Sequence, residues 1–282
     1  MDTDDLEARQ RDWDRSAPGW EAWFDTIETA SRAVSERLVE LAALGPGDRV
    51  LDLATGIGEP AITAARRVAP GGQVTATDIS ATMVAAARRR AATLGVGNVS
   101  FHVLAIEQLD LPPGSCDAAL CRWGLMFVPD LDAAVRRIRA ALRPGGRFAA
   151  SAWAGPAAVP FLGLERVALA RYFEADHFRC GPDQLDAFRL SGPGVLESVL
   201  SGAGFADVTC ERVDVVYTFA SADEYVRFRR AVSSNADALL QRHPESVAET
   251  AWRELADCVA DRADPEGRIR LENTALCVAG SA

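Results

Sequence analysis

Val50-Leu-Asp-Leu-Ala-Thr-Gly-Ile-Gly-Glu-Pro60 is the stretch from which the rest of the chain can be read. It starts as an apolar strand, breaks at glycine, and restarts as a helix at Glu59-Pro60. There Pro60 falls near the first turn, where a missing N–H is harmless. Gly56 and Gly58 permit a sharp turn and let a ligand approach without a Cβ in the way. The helix behind them presents free N–H groups. The local reading is a binding edge at the end of a strand.

Two ligands fit that edge. Gly56-x-Gly58-x-x-Ala61 satisfies the dinucleotide fingerprint, and Asp78 closes the next apolar run at the spacing of a ribose-binding acid. Asp52 discriminates between them. A buried carboxylate beside a pyrophosphate repels it, whereas beside an ammonium group it is favourable. S-adenosylmethionine (SAM) carries an amino-acid end and no phosphate, so the run reads better as a SAM loop than as a dinucleotide loop.

Outward from this loop the pattern alternates strand and helix, the signature of a mostly parallel sheet with right-handed crossovers. The expected strands are Arg49–Leu53, Val74–Asp78, Val99–Leu104, Asp117–Cys121 and Arg147–Trp153, with later ones near Asp207–Val216 and Glu272–Val278. The expected helices are Glu59–Val68, Ala81–Leu94 behind a Ser80 cap, Leu131–Leu142, Phe161–Tyr172, Val195–Ala203, Ala222–Val232 and Ser246–Arg262. The fold class is α/β, Rossmann-like, with seven strands, helices on both faces and a helical substrate cap. The expected division is 1–45, an N-terminal helical lid; 46–154, a cofactor-binding core; 155–204, a cap insertion; and 205–282, the last strands with a helical insertion.

The lid segment carries Trp13, Trp20, Trp23 and Phe24 around Ala17-Pro18-Gly19. It reads either as helix packed on the core or as an aromatic lid hinged at that Ala-Pro-Gly break.

The chain has 282 residues, a net charge of −10 and a pI near 4.9. An acidic balance argues against a nucleic-acid partner. The 6 cysteines show no C-x-x-C pair and no metal spacing, so no metal is expected and a reducing, cytoplasmic setting is. The acidic Met1-Asp-Thr-Asp-Asp5 is no signal peptide, and no apolar run reaches membrane-spanning length. Oligomeric state is not legible.

Taken together, Asp52-x-Ala-x-Gly56-x-Gly58, Asp78, Cys116-Asp117-Ala-Ala-Leu-Cys-Arg-Trp-Gly-Leu-Met-Phe-Val-Pro-Asp130 and Leu142-Arg-Pro-Gly-Gly-Arg147 resemble the class I SAM-dependent methyltransferases, of the small-molecule group around the ubiquinone/menaquinone C-methyltransferases. The resemblance covers about Arg49 to Trp153. It implies SAM as cofactor, with Asp52, Ala54, Thr55, Gly56 and Gly58 at its methionine end. Asp78 would accept the ribose hydroxyls, Ile79 and Met83 would pack on the adenine, and the Arg122 backbone would lie near the ammonium. Trp123 and Met126 would stand at the mouth of the transfer site; on the lid reading of the N-terminal segment, outside the resemblance, Trp13, Trp20 and Trp23 contact substrate.

One departure stands out. Where such proteins often carry an acid after the third strand, this chain has Ala105, so backbone groups of Ala105, Ile106 and Glu107 are expected to hold the adenine, helped by Gln108. Glu107 itself reads equally as a solvated loop acid.

Of the 3 histidines, His177 is the candidate base by location, with Glu174 and Asp176 as carboxylate substitutes. The functional expectation is methyl transfer to a small hydrophobic or aromatic acceptor, at oxygen or carbon, natural-product or quinone-like. The alternatives are an NAD(P)-binding oxidoreductase and a catalytically silent SAM-binding protein.

Overall fold

The computed structural model describes residues 3–173 and 185–282, so His177, Glu174 and Asp176 lie outside the described residues. Its centre is β1 (Arg49–Leu53), whose Val50, Leu51, Asp52 and Leu53 are all buried, as befits a strand covered on both faces. β2 (Gln73–Asp78), β3 (Val99–Val103), β4 (Cys116–Arg122) and β5 (Leu142–Trp153) extend the sheet in parallel. β6 (Ala206–Phe219) and β7 (Ile269–Ser281) complete it, β7 running antiparallel to both β5 and β6. The seven strands stand in the order β3-β2-β1-β4-β5-β7-β6. Strand order reverses at β1, between β2 and β4, and such a switch point opens a crevice at the strands' carboxyl ends.

Helices α1 (Thr3–Ala22) and α2 (Phe24–Leu41) precede the sheet, and α3 (Ala61–Val68), α4 (Ala81–Thr93) and α5 (Leu131–Ala141) are its crossovers. Then come α6 (Pro160–Leu169) and α7 (Val195–Gly202), and α8 (Ala222–Val232), α9 (Ser234–Leu240) and α10 (Glu245–Ala260) fill the β6–β7 connection. Ser80 caps α4 by accepting from Met83 N at 3.0 Å, and Asp130 caps α5 by accepting from Ala133 N at 3.0 Å. α2 buries Val34 and Leu38 against the sheet, while α1 lies across α4 and α8.

Four local expectations shift. α3 begins at Ala61 with Pro60 at its N-cap position, where the expected helix began at Glu59. β5 begins at Leu142, because Leu142 already pairs with Cys116 before the register shift at Ala118. α9, too short and polar to show a period, was not expected. The anticipated hinge at Ala17-Pro18-Gly19 is a correction: α1 runs through it unbroken. Packing overrides the proline there. A Cβ on Gly19 would sit 1.9 Å from the Ala231 carbonyl oxygen, so glycine lets α1 touch the backbone at α8, and Ala17 is buried against Met83, Ala86 and Ile57.

Candidate functional site

A cavity of about 320 Å³ opens at the carboxyl ends of β1, β2 and β4, roofed by α1, α2, α6 and α8. Its floor is the turn after β1. Ala54 and Gly56 take positive φ values of 54° and 56°, and Thr55 N donates to Thr77 O at 2.9 Å, tying the turn to β2. A Cβ on Gly56 would meet no protein atom within 4 Å, so it would project into open space, whereas one on Gly58 would press on Ile62 at 3.0 Å. Gly56 thus borders the cavity and Gly58 serves the packing of α3 and α4.

Asp78, at the end of β2, is held from both sides. Its Oδ2 accepts from Gly56 N at 2.8 Å and its Oδ1 from Ser80 N at 2.9 Å. Burial nevertheless pushes its pKa up to about 6, against those two stabilising amides. Asp52 lies under the turn, fully buried, with no donor in hydrogen-bond geometry at either oxygen. Burial raises it to about 7; the Thr55 hydroxyl and Arg122 pull the other way. Glu59 is also raised, by burial and then by the charge of Glu28.

Ile79, Met83, Ala105, Ile106 and Glu107 line the cavity beyond Asp78. Gln108 Oε1 accepts from Ala105 N at 3.3 Å, so it braces the turn. Glu107 is not a solvated loop acid: its side chain is 6% exposed and paired with Arg9 of α1. Arg9 Nη1 also donates to Phe127 O at 3.3 Å, Gln10 Nε2 to Ile79 O at 3.0 Å, and Asp14 accepts from Thr82 N at 3.0 Å. These residues fasten α1 over the loops after β2, β3 and β4 and over the start of α4. Sequence reasoning missed them, because their partners lie more than 60 residues away.

Arg122 lines the cavity, but its guanidinium turns to α2, where Nη1 donates to Glu28 Oε2 at 3.1 Å and to Ser35 Oγ at 2.7 Å. Its role therefore extends past the backbone. Asp52, Glu59 and Glu28 outnumber the Arg122 and Arg90 cations on this side of the cavity, a charge set that suits an ammonium or sulfonium and opposes a pyrophosphate.

The remaining wall is aromatic. Trp123, at φ 56°, stacks on Trp153 with ring centroids 4.4 Å apart, and Phe161 stacks on Tyr217 at 4.1 Å. Trp13, Trp20, Phe24, Met126 and Phe228 also line the space. Trp23 does not; it packs edge-on against Phe228 at 5.4 Å, one layer behind. Arg229 on α8 borders this wall, paired with Glu165 on α6.

A methyltransferase domain family matches residues 50–146, the span from β1 into β5. The nocamycin O-methyltransferase of Saccharothrix syringae is 33% identical over 209 residues, covering 69% of this chain and 72% of its own length. The ubiquinone/menaquinone biosynthesis C-methyltransferase UbiE of Pseudomonas putida is 39% identical over 111 residues, which is 39% of this chain and 43% of that protein. Among solved structures, the YcgJ protein of Bacillus subtilis superposes with a TM-score of 0.57 at 19% identity, covering 88% of this chain and 97% of that one. That last likeness is one of fold.

Proposed function

The chain belongs to the class I SAM-dependent methyltransferases, and from that premise we propose that it methylates a small hydrophobic or aromatic acceptor at oxygen or carbon. The observation that carries the reading is a single cavity with an acid-rich floor and an aromatic wall. The orphaned Asp52 oxygens support a cationic ligand, since a buried carboxylate without a donor is costly until a positive group meets it.

SAM, when bound, supplies a methyl group on a sulfonium. The chain's part is to bind, orient and exclude water. On this proposal Asp52, with Glu59 and Glu28 nearby, faces the ammonium, and Gly56 leaves the space the amino-acid end needs. Asp78 accepts from the ribose hydroxyls with lone pairs its two backbone amides leave free. Ile79 and Met83 pack on the adenine beside Ala105, Ile106 and Glu107. Trp20, Trp123 and Met126 border the acceptor. Holding donor and acceptor in line in a dry site is worth about 7–11 kcal/mol in favourable intramolecular models. His177 is the proposed base where the acceptor has a proton to lose.

Thermal unfolding with SAM, then with NADH, tests the premise. A ligand at 100 times its Kd stabilises by about 2.7 kcal/mol. SAM should raise Tm and NADH should not; the reverse would move the chain to the oxidoreductases. Release of labelled methyl to an aromatic acid or phenol panel separates an enzyme from a silent SAM binder.

A further inference from the structure

The aromatic wall of the cavity carries a positive group that the reading above leaves unused. Arg229, on α8, is 6% exposed and borders the cavity. Its Nε donates to Glu165 and its Nη2 to Ser233 Oγ. Nη1 has no hydrogen-bond partner among the described residues. Ser233 and Tyr217 border the cavity too, whereas Glu165 does not. The guanidinium therefore faces the cavity with its counter-ion set behind it. Ser31, buried and with no partner in hydrogen-bond geometry, lies beside the Tyr217 hydroxyl. Around these polar groups stand Phe161, whose ring Arg229 overlies at 4.8 Å, and Phe228.

A structural tie between α6 and α8 would account for the Arg229–Glu165 pair alone. It does not account for a largely buried guanidinium whose Nη1 opens onto the cavity, where its N–H groups stand ready to meet a ligand. Guanidinium only donates, so the complement is an acceptor of hydrogen bonds, and its charge favours an anion. An amine or ammonium would meet it donor to donor.

Resting on the methyltransferase reading, we infer that Arg229, backed by Glu165 and flanked by Ser233 and Tyr217, selects the methyl acceptor: a flat, apolar molecule bearing an oxygen ionised at neutral pH, as in a carboxylate or an acidic enol. The aromatic wall takes the body of the molecule, and Arg229 takes the oxygen.

Three probes of one ring size test this: 1-naphthoate, 1-methylnaphthalene and 1-naphthylmethylammonium. Binding at pH 7.5 is read by quenching of tryptophan fluorescence, with and without S-adenosylhomocysteine. The wild type should bind 1-naphthoate at least about tenfold more tightly than 1-methylnaphthalene, and the cation most weakly. Removing Arg229 alone would strand Glu165 and could unfold the chain, so the main variant carries Arg229→Met with Glu165→Met, an apolar swap that buried pairs often tolerate. There the preference for naphthoate should fall below about threefold, with 1-methylnaphthalene binding kept within about twofold. Ser233→Ala, which leaves the ion pair intact, should erode the preference in part. A wild type without the preference, or a double variant that keeps it, overturns the assignment. S-adenosylhomocysteine titration of the same samples is read separately. Its failure in the wild type would sink the methyltransferase reading, while the probe series without it still decides the role of Arg229.

Discussion

Cofactor affinity should fall steeply in mild acid, because Asp52 beneath the turn and Asp78 at the cavity must both ionise to receive a cation and hydroxyl donors. In the ligand-free fold Asp52 titrates at about 7 and Asp78 at about 6, both raised chiefly by burial from 3.8. A group protonated before binding and ionised after it weakens binding by about 1 + 10^(pKa − pH). At pH 5.5 that is roughly 30-fold for Asp52 and 4-fold for Asp78; at pH 7.5 the two together cost about 1.4-fold. SAM affinity should therefore rise about 100-fold, some 2.7 kcal/mol, between these pH values. Calorimetry at pH 6.5 in buffers of different ionisation enthalpy should count about one proton released per SAM bound. Asp52→Asn should remove most of this change, leaving what Asp78 and the raised Glu59 contribute. The sign for the ligand-free protein is opposite. Raised carboxylates stabilise the fold below 3.8 and lose that contribution as pH passes through 6 and 7, so apo Tm should drop from pH 5.5 to 8. Asp117, held low by a backbone bond and by Arg143 and Arg49, and Glu211, held low by Arg37, stay ionised throughout this window and do not obscure it. A flat affinity from pH 5.5 to 7.5, or proton uptake on binding, would refute the argument, since neither carboxylate would then be the cation's partner.

Two substitutions probe the turn beneath the cavity and the packing of its roof. Gly56→Val puts a branched side chain into open space at φ 56°, so it should abolish SAM binding while far-ultraviolet circular dichroism stays native; normal binding would remove the turn after β1 from the site. Gly19→Val drives a Cβ onto the Ala231 oxygen and should lower Tm by at least about 4 °C, the effect of a core overpacking of about 2 kcal/mol. An unchanged Tm would mean that α1 does not rest on α8.

The sheet was legible because its signals are local. Apolar runs bounded by Gly and Pro mark β1 to β4, and Ser80 announces the helix it caps. Asp52, Gly56 and Asp78 could be read as a site because one strand–turn–helix unit and the next strand hold them together. Local signals also misled. Ala17-Pro18-Gly19 has the composition of a break, yet the contact that keeps it helical comes from Ala231 on α8. Trp23 belongs to the same aromatic cluster as Trp20, but the turn between α1 and α2 directs it behind the wall instead of into it.

What stayed hidden has a common form. Arg9 pairs with Glu107, Glu28 with Arg122 and Glu165 with Arg229, at sequence separations of 98, 94 and 64. No periodicity reports such pairs, since each member alone looks like an ordinary surface charge. Each joins two elements of the cavity wall: α1 to the turn after β3, α2 to the end of β4, and α6 to α8. Arginine is the cavity-lining member every time, joined by Glu107 in the first pair, with the Arg122 guanidinium turned to α2. The side chains that hold the roof together are therefore the ones a ligand must meet. Truncating one would leave its partner buried and unpaired, which is strongly destabilising. A ligand that takes up their spare donors does the opposite and strengthens the same wall. Closure of the roof and filling of the cavity thus draw on one set of groups, and each should favour the other.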